Sequence, residues 1–192
     1  MAEKIGDRLP LLIGLALASL TLRPQVVGLG PLIPDIQRSL GMSHAVAGLL
    51  ITLPVLCMGL FAPVAPVLAG RIGAVRAVTI AVALIGFAGL ARIAVGGTAG
   101  VLLFTFAIGV GMGLGNALMV VAVKERFSDH PLLLTSVYTA GIQLGSSIAA
   151  VLAVPIAMSM GGWRFTLAVF SIASVAALIA WVLLSQIGRA HV

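Results

Sequence analysis

The stretch LTLRPQVVGLGPLIPDI, from Leu20 to Ile36, sets one arginine, Arg23, inside an apolar run that begins at Leu9. Counted from Leu9 at 1.5 Å per residue, Arg23 lies about 21 Å along a helix. A guanidinium keeps its proton, and even the lower insertion scale charges about 2.5–3.5 kcal/mol for an arginine at mid-membrane. From that depth, snorkelling to an interface is hard. Arg23 must therefore meet water, a carbonyl cluster or an anion. Pro24 removes a backbone donor and frees carbonyls nearby. Gly28, Gly30, Pro31 and Pro34 make the same run irregular, and irregular backbone at membrane depth is tolerated where it lines a cavity. Two readings stand: freed carbonyls hold Arg23, or it is a cavity cation facing an anionic or strongly dipolar solute. None of the five acids, Glu3, Asp7, Asp35, Glu125 and Asp129, falls at mid-membrane to pair with it, which favours the second.

Further along, Thr135, Thr139, Gln143, Ser146 and Ser147 recur at i, i+4, i+8, i+11 and i+12, positions that share one helical face. Ser and Thr in such runs often back-bond or join helices. Gln143 is harder to dismiss, because its amide needs several partners. The stripe is either helix glue or the wall of a water-filled cavity. Tyr138, the single tyrosine, lies near this face. GVGMGLGN at 109–116 has glycine at every second position. It lacks the G-x-G-x-x-G spacing and sits inside an apolar helix rather than after a strand, so it is no nucleotide loop. Gly109/Gly113 and Gly111/Gly115 form two overlapping small-xxx-small pairs that permit close helix packing. That packing would also place Asn116, the single asparagine, at a central surface.

Catalytic constellations are missing. His44 and His130 fall in loops and His191 in the tail, with no H-E-x-x-H, paired carboxylates or Cys/His cluster. The lone Cys57 cannot form an intrachain disulfide and reads as a small buried hydrophobe. No enzyme, metal site or cofactor is expected. The net charge of +6 has no basic run interleaved with aromatics, so a nucleic-acid partner is not expected either. Membrane proteins hold such charge in cytoplasmic loops.

The elements that carry these residues follow from composition. The chain is 61% hydrophobic and 8% charged over 192 residues, against about 25% charged in soluble domains. Lipid must solvate much of it. A spanning helix needs about 20 apolar residues, and six runs qualify: 9–36, 45–69, 75–95, 99–123, 132–158 and 164–185. The predicted fold is an all-α polytopic bundle over 9–185 with a cytoplasmic segment at 1–8. The runs are too long and too uniformly apolar for barrel strands, and the first is too long for a signal peptide. With the N-terminus inside, inner loops hold Lys4, Arg8, Arg71, Arg76, Lys124 and Arg126, against Arg38, Arg92 and Arg164 at outer ends. The excess of inner charge favours that orientation. Trp163 and Trp181 bracket the sixth run, about 27 Å apart along a helix, and fit two interfacial anchors.

Six spans, the inner loop GRIGAVR and the Gly-rich fourth span together resemble the N-terminal half of a major facilitator transporter. LRPQVVGLGPLIPDI, AGLLITLPVLCMGLFAPVAPVLAGRIGA and SVYTAGIQLGSSIAAVLAVPIA are similar to the bacterial cyanate/2-nitroimidazole transporter branch, over about residues 10–185. The resemblance implies a secondary transporter of the bacterial inner membrane with two six-helix halves and substrate at their interface, of which this chain supplies one. Its partners would be the bilayer, a small anionic or dipolar solute such as cyanate or a nitroimidazole, and a second six-helix half. The substrate-binding residues expected on this side are Arg23, Asn116, Tyr138, Thr139, Gln143 and Ser146. The resemblance also implies a conformational loop of Arg71, Gly73 and Arg76, although Gly70 stands where the superfamily loop carries an acid. The last residues, 187–192, read as a non-native tail, and the chain as a truncated transporter. The alternative is a complete six-span protein acting as a dimeric channel or small transporter.

Reporter fusions in the 71–76 and 124–131 loops should both report cytoplasm. A periplasmic signal at either site would reject the orientation.

Overall fold

The structure is a computed structural model that describes residues 9–126 and 131–190. The expected cytoplasmic segment 1–8, with Lys4 and Arg8, lies outside the described residues, as do 127–130 and 191–192. Among the described residues the regular structure is wholly helical. Six stretches are long and apolar enough to cross a membrane: Leu12–Leu40, His44–Phe61, Ala74–Ala94, Thr98–Glu125, Leu132–Met160 and Trp163–Gln186. The chain is a multi-pass membrane protein built as a six-span helical bundle. The sixth helix itself continues to Ala190, into the segment set apart as a tail.

Two spans depart from a simple rod. The first is a helix at Leu9–Leu20, a short helix at Pro24–Val27, a 3₁₀ turn at Gly30–Leu32 and a last helix at Ile33–Leu40. Proline at 24, 31 and 34 removes three backbone donors, so one continuous ladder cannot form. The span runs past Ile36, where the sequence reading ended it, because Asp35 and Arg38 pair on a solvated face. It stops at Gly41, whose φ of 63° is left-handed, a conformation glycine adopts without penalty. The second span begins with a cap, Ser43 Oγ accepting from Val46 N at 3.3 Å. It breaks after Phe61, before Pro63, and resumes as the helix Val64–Ile72.

Small residues decide how closely the spans approach. A Cβ on Gly109 would stand 2.7 Å from Pro54 Cα, and one on Gly113 would stand 2.7 Å from the Cys57 carbonyl, both on the second span. A Cβ on Gly111 would meet Ala81 O at 2.9 Å on the third, and one on Gly115 would meet Leu22 at 2.8 Å on the first. The two small-xxx-small pairs of the fourth span thus serve different neighbours, and this span sits at the centre of the bundle. On the fifth span, Gly141 and Gly145 lie against Ser19 and the Leu20 carbonyl of the first. That carbonyl would bond to the N–H of residue 24 in a regular helix, and Pro24 has none. Gly145 covers the gap instead.

The two tryptophans are not lipid-facing anchors, contrary to the reading of their spacing. Trp163 and Trp181 are buried. Trp181 Nε1 donates to Thr79 Oγ1 at 3.0 Å, joining the sixth span to the third. Trp163 Nε1 donates to Ser39 Oγ at 2.8 Å, joining the start of the sixth span to the end of the first. An indole needs a partner for its N–H when buried, and both have one. Arg164 closes the third span by donating to Ile93 O at 2.6 Å and Val95 O at 3.2 Å. A cation suits the carbonyl end of a helix.

Gly113→Ala should destabilise the purified chain by about 1–3 kcal/mol, because the new methyl meets backbone that cannot step aside. Gly48→Ala, whose Cβ would meet nothing within 4 Å, should be neutral or slightly stabilising. Thermal unfolding of both variants in one detergent checks the contrast. Equal shifts would contradict the packing assignment.

Candidate functional site

Arg23 stands in the break of the first span. The helix before it ends at Leu20, and Thr21 N and Leu22 N turn back to Ala18 O and Ser19 O at 3.2 and 3.3 Å. Arg23 then caps the short helix Pro24–Val27, its carbonyl accepting from Val26 N and Val27 N, each at 3.0 Å. Its side chain is half-buried, and the Nε is buried without a hydrogen-bond partner. Carbonyl capture of Arg23, the competing expectation, is therefore not what the structure contains among the described residues.

That capture does occur, with a different arginine. Arg92 is fully buried, whereas the charge count placed it at an outer end. Its Nη2 donates to Gln25 Oε1 at 2.8 Å and to the Gln25 carbonyl at 3.3 Å. Its Nη1 reaches Thr105 Oγ1 at 3.5 Å. The Gln25 carbonyl is available because Leu29 N turns back to Val26 O at 3.2 Å instead. Gln25 Nε2 in turn donates to Ser171 Oγ at 2.8 Å, and Ser171 Oγ donates to Leu167 O at 2.6 Å. Spans one, three, four and six meet in this chain of contacts. Gly89 makes room for it, since a Cβ there would stand 2.6 Å from Ser171 Oγ and 2.8 Å from Gln25 Nε2. The sequence reading missed Gln25, Arg92 and Ser171. The available signal was a polar amide directly after Pro24 and an arginine three residues after a glycine in an apolar run.

Of the expected site residues, Asn116 is the one most like Arg23. It is half-buried, and its Nδ2 is buried without a partner. Leu22 and Gly115, the residues just before Arg23 and Asn116, touch each other. The two side chains therefore leave the first and fourth spans at the same level. The fifth-span stripe is different. Thr139 and Gln143 are exposed, and Tyr138 is half-buried against the core cluster. Ser146 Oγ is spent on Ile142 O at 2.7 Å. The stripe lies away from the Gly141–Gly145 contact, so within this bundle it does not join helices. In the loop, Gly73 has φ 85° and ψ 145°, so a side chain there would be strained. Arg71 and Arg76 flank it, both exposed.

A cavity of about 470 Å³ lies elsewhere, among spans one, five and six, lined by Leu17, Thr21, Pro24, Gly145, Phe170 and Ala177 among others. Its single hydroxyl, Thr21 Oγ1, is engaged by Ala18 O at 2.9 Å. It contains none of the expected site residues and offers no polar group to fix an anion.

Comparison with known proteins agrees with this architecture. The Major Facilitator Superfamily profile matches residues 11–190. The uncharacterised transporter YycB of Bacillus subtilis (strain 168) is 31% identical over 173 residues, covering 90% of this chain and 43% of that protein. The cyanate transport protein CynX of Escherichia coli (strain K12) is 32% identical over 171 residues, covering 89% of this chain and 44% of that protein. The 2-nitroimidazole transporter of the same organism is 32% identical over 182 residues, covering 91% and 44%. The chain thus spans less than half the length of these relatives. In fold it is similar to the peptide transporter POT crystallised with sulfate, with a TM-score of 0.77 at 21% identity, covering 90% of this chain and 37% of that one. The same transporter with alafosfalin gives 0.77 at 19% identity, covering 92% and 38%. Six spans packed through small residues, a broken first span and a profile match along nearly the whole chain have one reading: the chain belongs to the Major Facilitator Superfamily.

Proposed function

We propose that this chain forms one six-span half of a secondary transporter for a small anionic or strongly dipolar solute, of the kind cyanate or a nitroimidazole represents. The observation that carries the reading is two of the three buried donors without acceptors among the described residues, Arg23 Nε and Asn116 Nδ2; the third, Arg92 Nε, belongs to a guanidinium already bonded through both terminal nitrogens. Leaving a buried donor unsatisfied costs about 1–3 kcal/mol, and more when it is charged. What both groups lack is an acceptor. A cyanate ion, a carboxylate or a nitro group supplies one, and a guanidinium binds such oxygens through charge-assisted bonds. No acid among the described residues competes for the site: Asp35 pairs with Arg38 at the exposed end of its span, and Glu125 is exposed.

In this reading Arg23 provides charge, Asn116 provides a neutral donor, and Tyr138, Thr139, Gln143 and Ser146 line the wet approach. The loop of Arg71, Gly73 and Arg76 is where the halves of the transport cycle change access. The solute is held near mid-membrane against a second six-helix half, and access alternates as the halves rock. The membrane is the bacterial plasma membrane, with the N-terminus cytoplasmic, as the loop charges favour. The activity is transport and not catalysis, in line with the names of the relatives.

Two experiments in the full-length transporter containing this half test the assignment, with radiolabelled cyanate as the probe and membrane abundance measured in parallel. Arg23→Gln should raise KM about tenfold or more, since a hydrogen bond to a charged group is worth about 1.5–3 kcal/mol. Arg23→Lys keeps the charge but loses the planar fork, and should fall between wild type and Arg23→Gln. Wild-type KM in both would reject Arg23 as the solute's partner. Gln143→Leu should lose uptake while abundance holds, because the exposed amide has no hydrogen-bond partner to lose among the described residues. Collapse of abundance would make Gln143 a structural residue.

A further inference from the structure

We infer that Arg92 is the positioning residue of the site: it clamps the break in the first span and so fixes where Arg23 is held. The inference builds on the proposed role of Arg23 but stands on separate contacts. The segment from Thr21 to Leu32 has no continuous helical ladder to hold it, and its short helix covers just Pro24–Val27. Within that short helix, Gln25 is fully buried. Arg92 grips both its amide oxygen and its carbonyl with one nitrogen, at 2.8 and 3.3 Å. The other side of the amide is held by Ser171. Residue 25 is thus gripped from the third and sixth spans, two positions after Arg23. A short helix pinned at its second residue cannot turn about its axis, and the direction of the preceding residue is set with it.

The chemistry of the grip supports a role beyond filling space. Arg92 is a fully buried cation whose hydrogen-bond partners among the described residues are all neutral: the Gln25 amide, the Gln25 carbonyl and the Thr105 hydroxyl. A buried charge without a counter-charge is expensive. An apolar side chain at residue 92 would avoid that cost, but it would leave the Gln25 carbonyl and amide oxygen unpaired. The planar fork is the feature that reaches Gln25 and Thr105 together.

The test uses a cysteine reporter in the full-length transporter. Cys57→Ala removes the one cysteine of this half, any in the other half are replaced likewise, and Arg23→Cys reports the break. Reaction with a membrane-permeant maleimide is then followed in Arg92→Leu, Arg92→Lys, Gly89→Ala and the double variant Arg92→Leu/Gln25→Leu. Gly89→Ala disturbs the Gln25–Ser171 contact while keeping the charge. The labelling rate at residue 23 should change about fivefold or more, the low end of the coupling between linked sites, in Arg92→Leu and Gly89→Ala. A control cysteine at Ser147, exposed on the fifth span, should keep its rate. Arg92→Lys should restore part of the change. Rates at residue 23 within twofold of the parent in folded variants would overturn the inference. So would loss of folding in every variant, the double included, because Arg92 would then be a requirement of folding alone. With Arg23 retained, altered labelling should be matched by a raised KM for cyanate at preserved abundance. Altered labelling with unchanged KM would leave the clamp standing and reject the proposed role of Arg23.

Discussion

A backbone carbonyl inside a membrane must have a partner, and the fold of this chain is organised around those that lose theirs. Lipid offers no hydrogen bonds, and each unsatisfied group costs several kcal/mol. Three prolines and two glycines between residues 24 and 34 break the first span, and the freed carbonyls are met in two different ways. Leu20 O is covered by the bare face of Gly145, where only a weak Cα–H contact is possible. Gln25 O receives a long hydrogen bond from Arg92 at 3.3 Å. The rest of the bundle is arranged so that these two compensations can occur.

This requirement explains the distribution of small residues. Gly145 must be bare for the fifth span to lie on the break, and Gly89 must be bare for Gln25 and Ser171 to meet over the third. Gly109, Gly111, Gly113 and Gly115 seat the fourth span against the second, third and first. In membrane bundles, where apolar burial gives little drive between helices, close backbone approach provides the attraction. The glycines thus draw the helices together and leave room for the polar contacts between them. Spans two and five are the least covered by the others.

Much of this was legible in the sequence. Hydropathy located the six spans, and the paired spacing of Gly109/Gly113 and Gly111/Gly115 announced close packing, which the contacts with the second, third and first spans bear out. Arg23 stood out as a candidate because a lone cation in a long apolar run has no inexpensive explanation. Arg92 is the same type of residue, yet it lies three positions from a span end, where a cation normally reaches water. Its burial depends on the third span packing against the break in the first. Sequence spacing within one helix holds no record of that contact. The tryptophans were misread for a related reason. Their spacing matched the thickness of a bilayer, but the direction of each indole is set by Thr79 and Ser39 on other spans. Features local to one helix were readable, and features made where two helices meet were not.

The two arginines at the break show how one residue type serves two ends in the same low-dielectric surroundings. Arg92 is fully covered, and both its terminal nitrogens have acceptors, although its Nε has none. Arg23 is half-covered, and its Nε likewise has none. Both carry positive charge beside one short helix, and no acid of the described spans lies at that level to offset them. Charges of one sign held by low-dielectric walls concentrate the field they produce. The field at Arg23 is therefore larger than its own charge provides, and it falls on the guanidinium of the two that is not fully covered. On the proposed reading, Arg92 contributes twice to an anion it never touches, by holding Arg23 in place and by adding to the potential that draws the anion in. On that same proposal the break would be a poor place for a cationic solute, and selectivity for charge sign would be set by the scaffold before any contact with the solute is made.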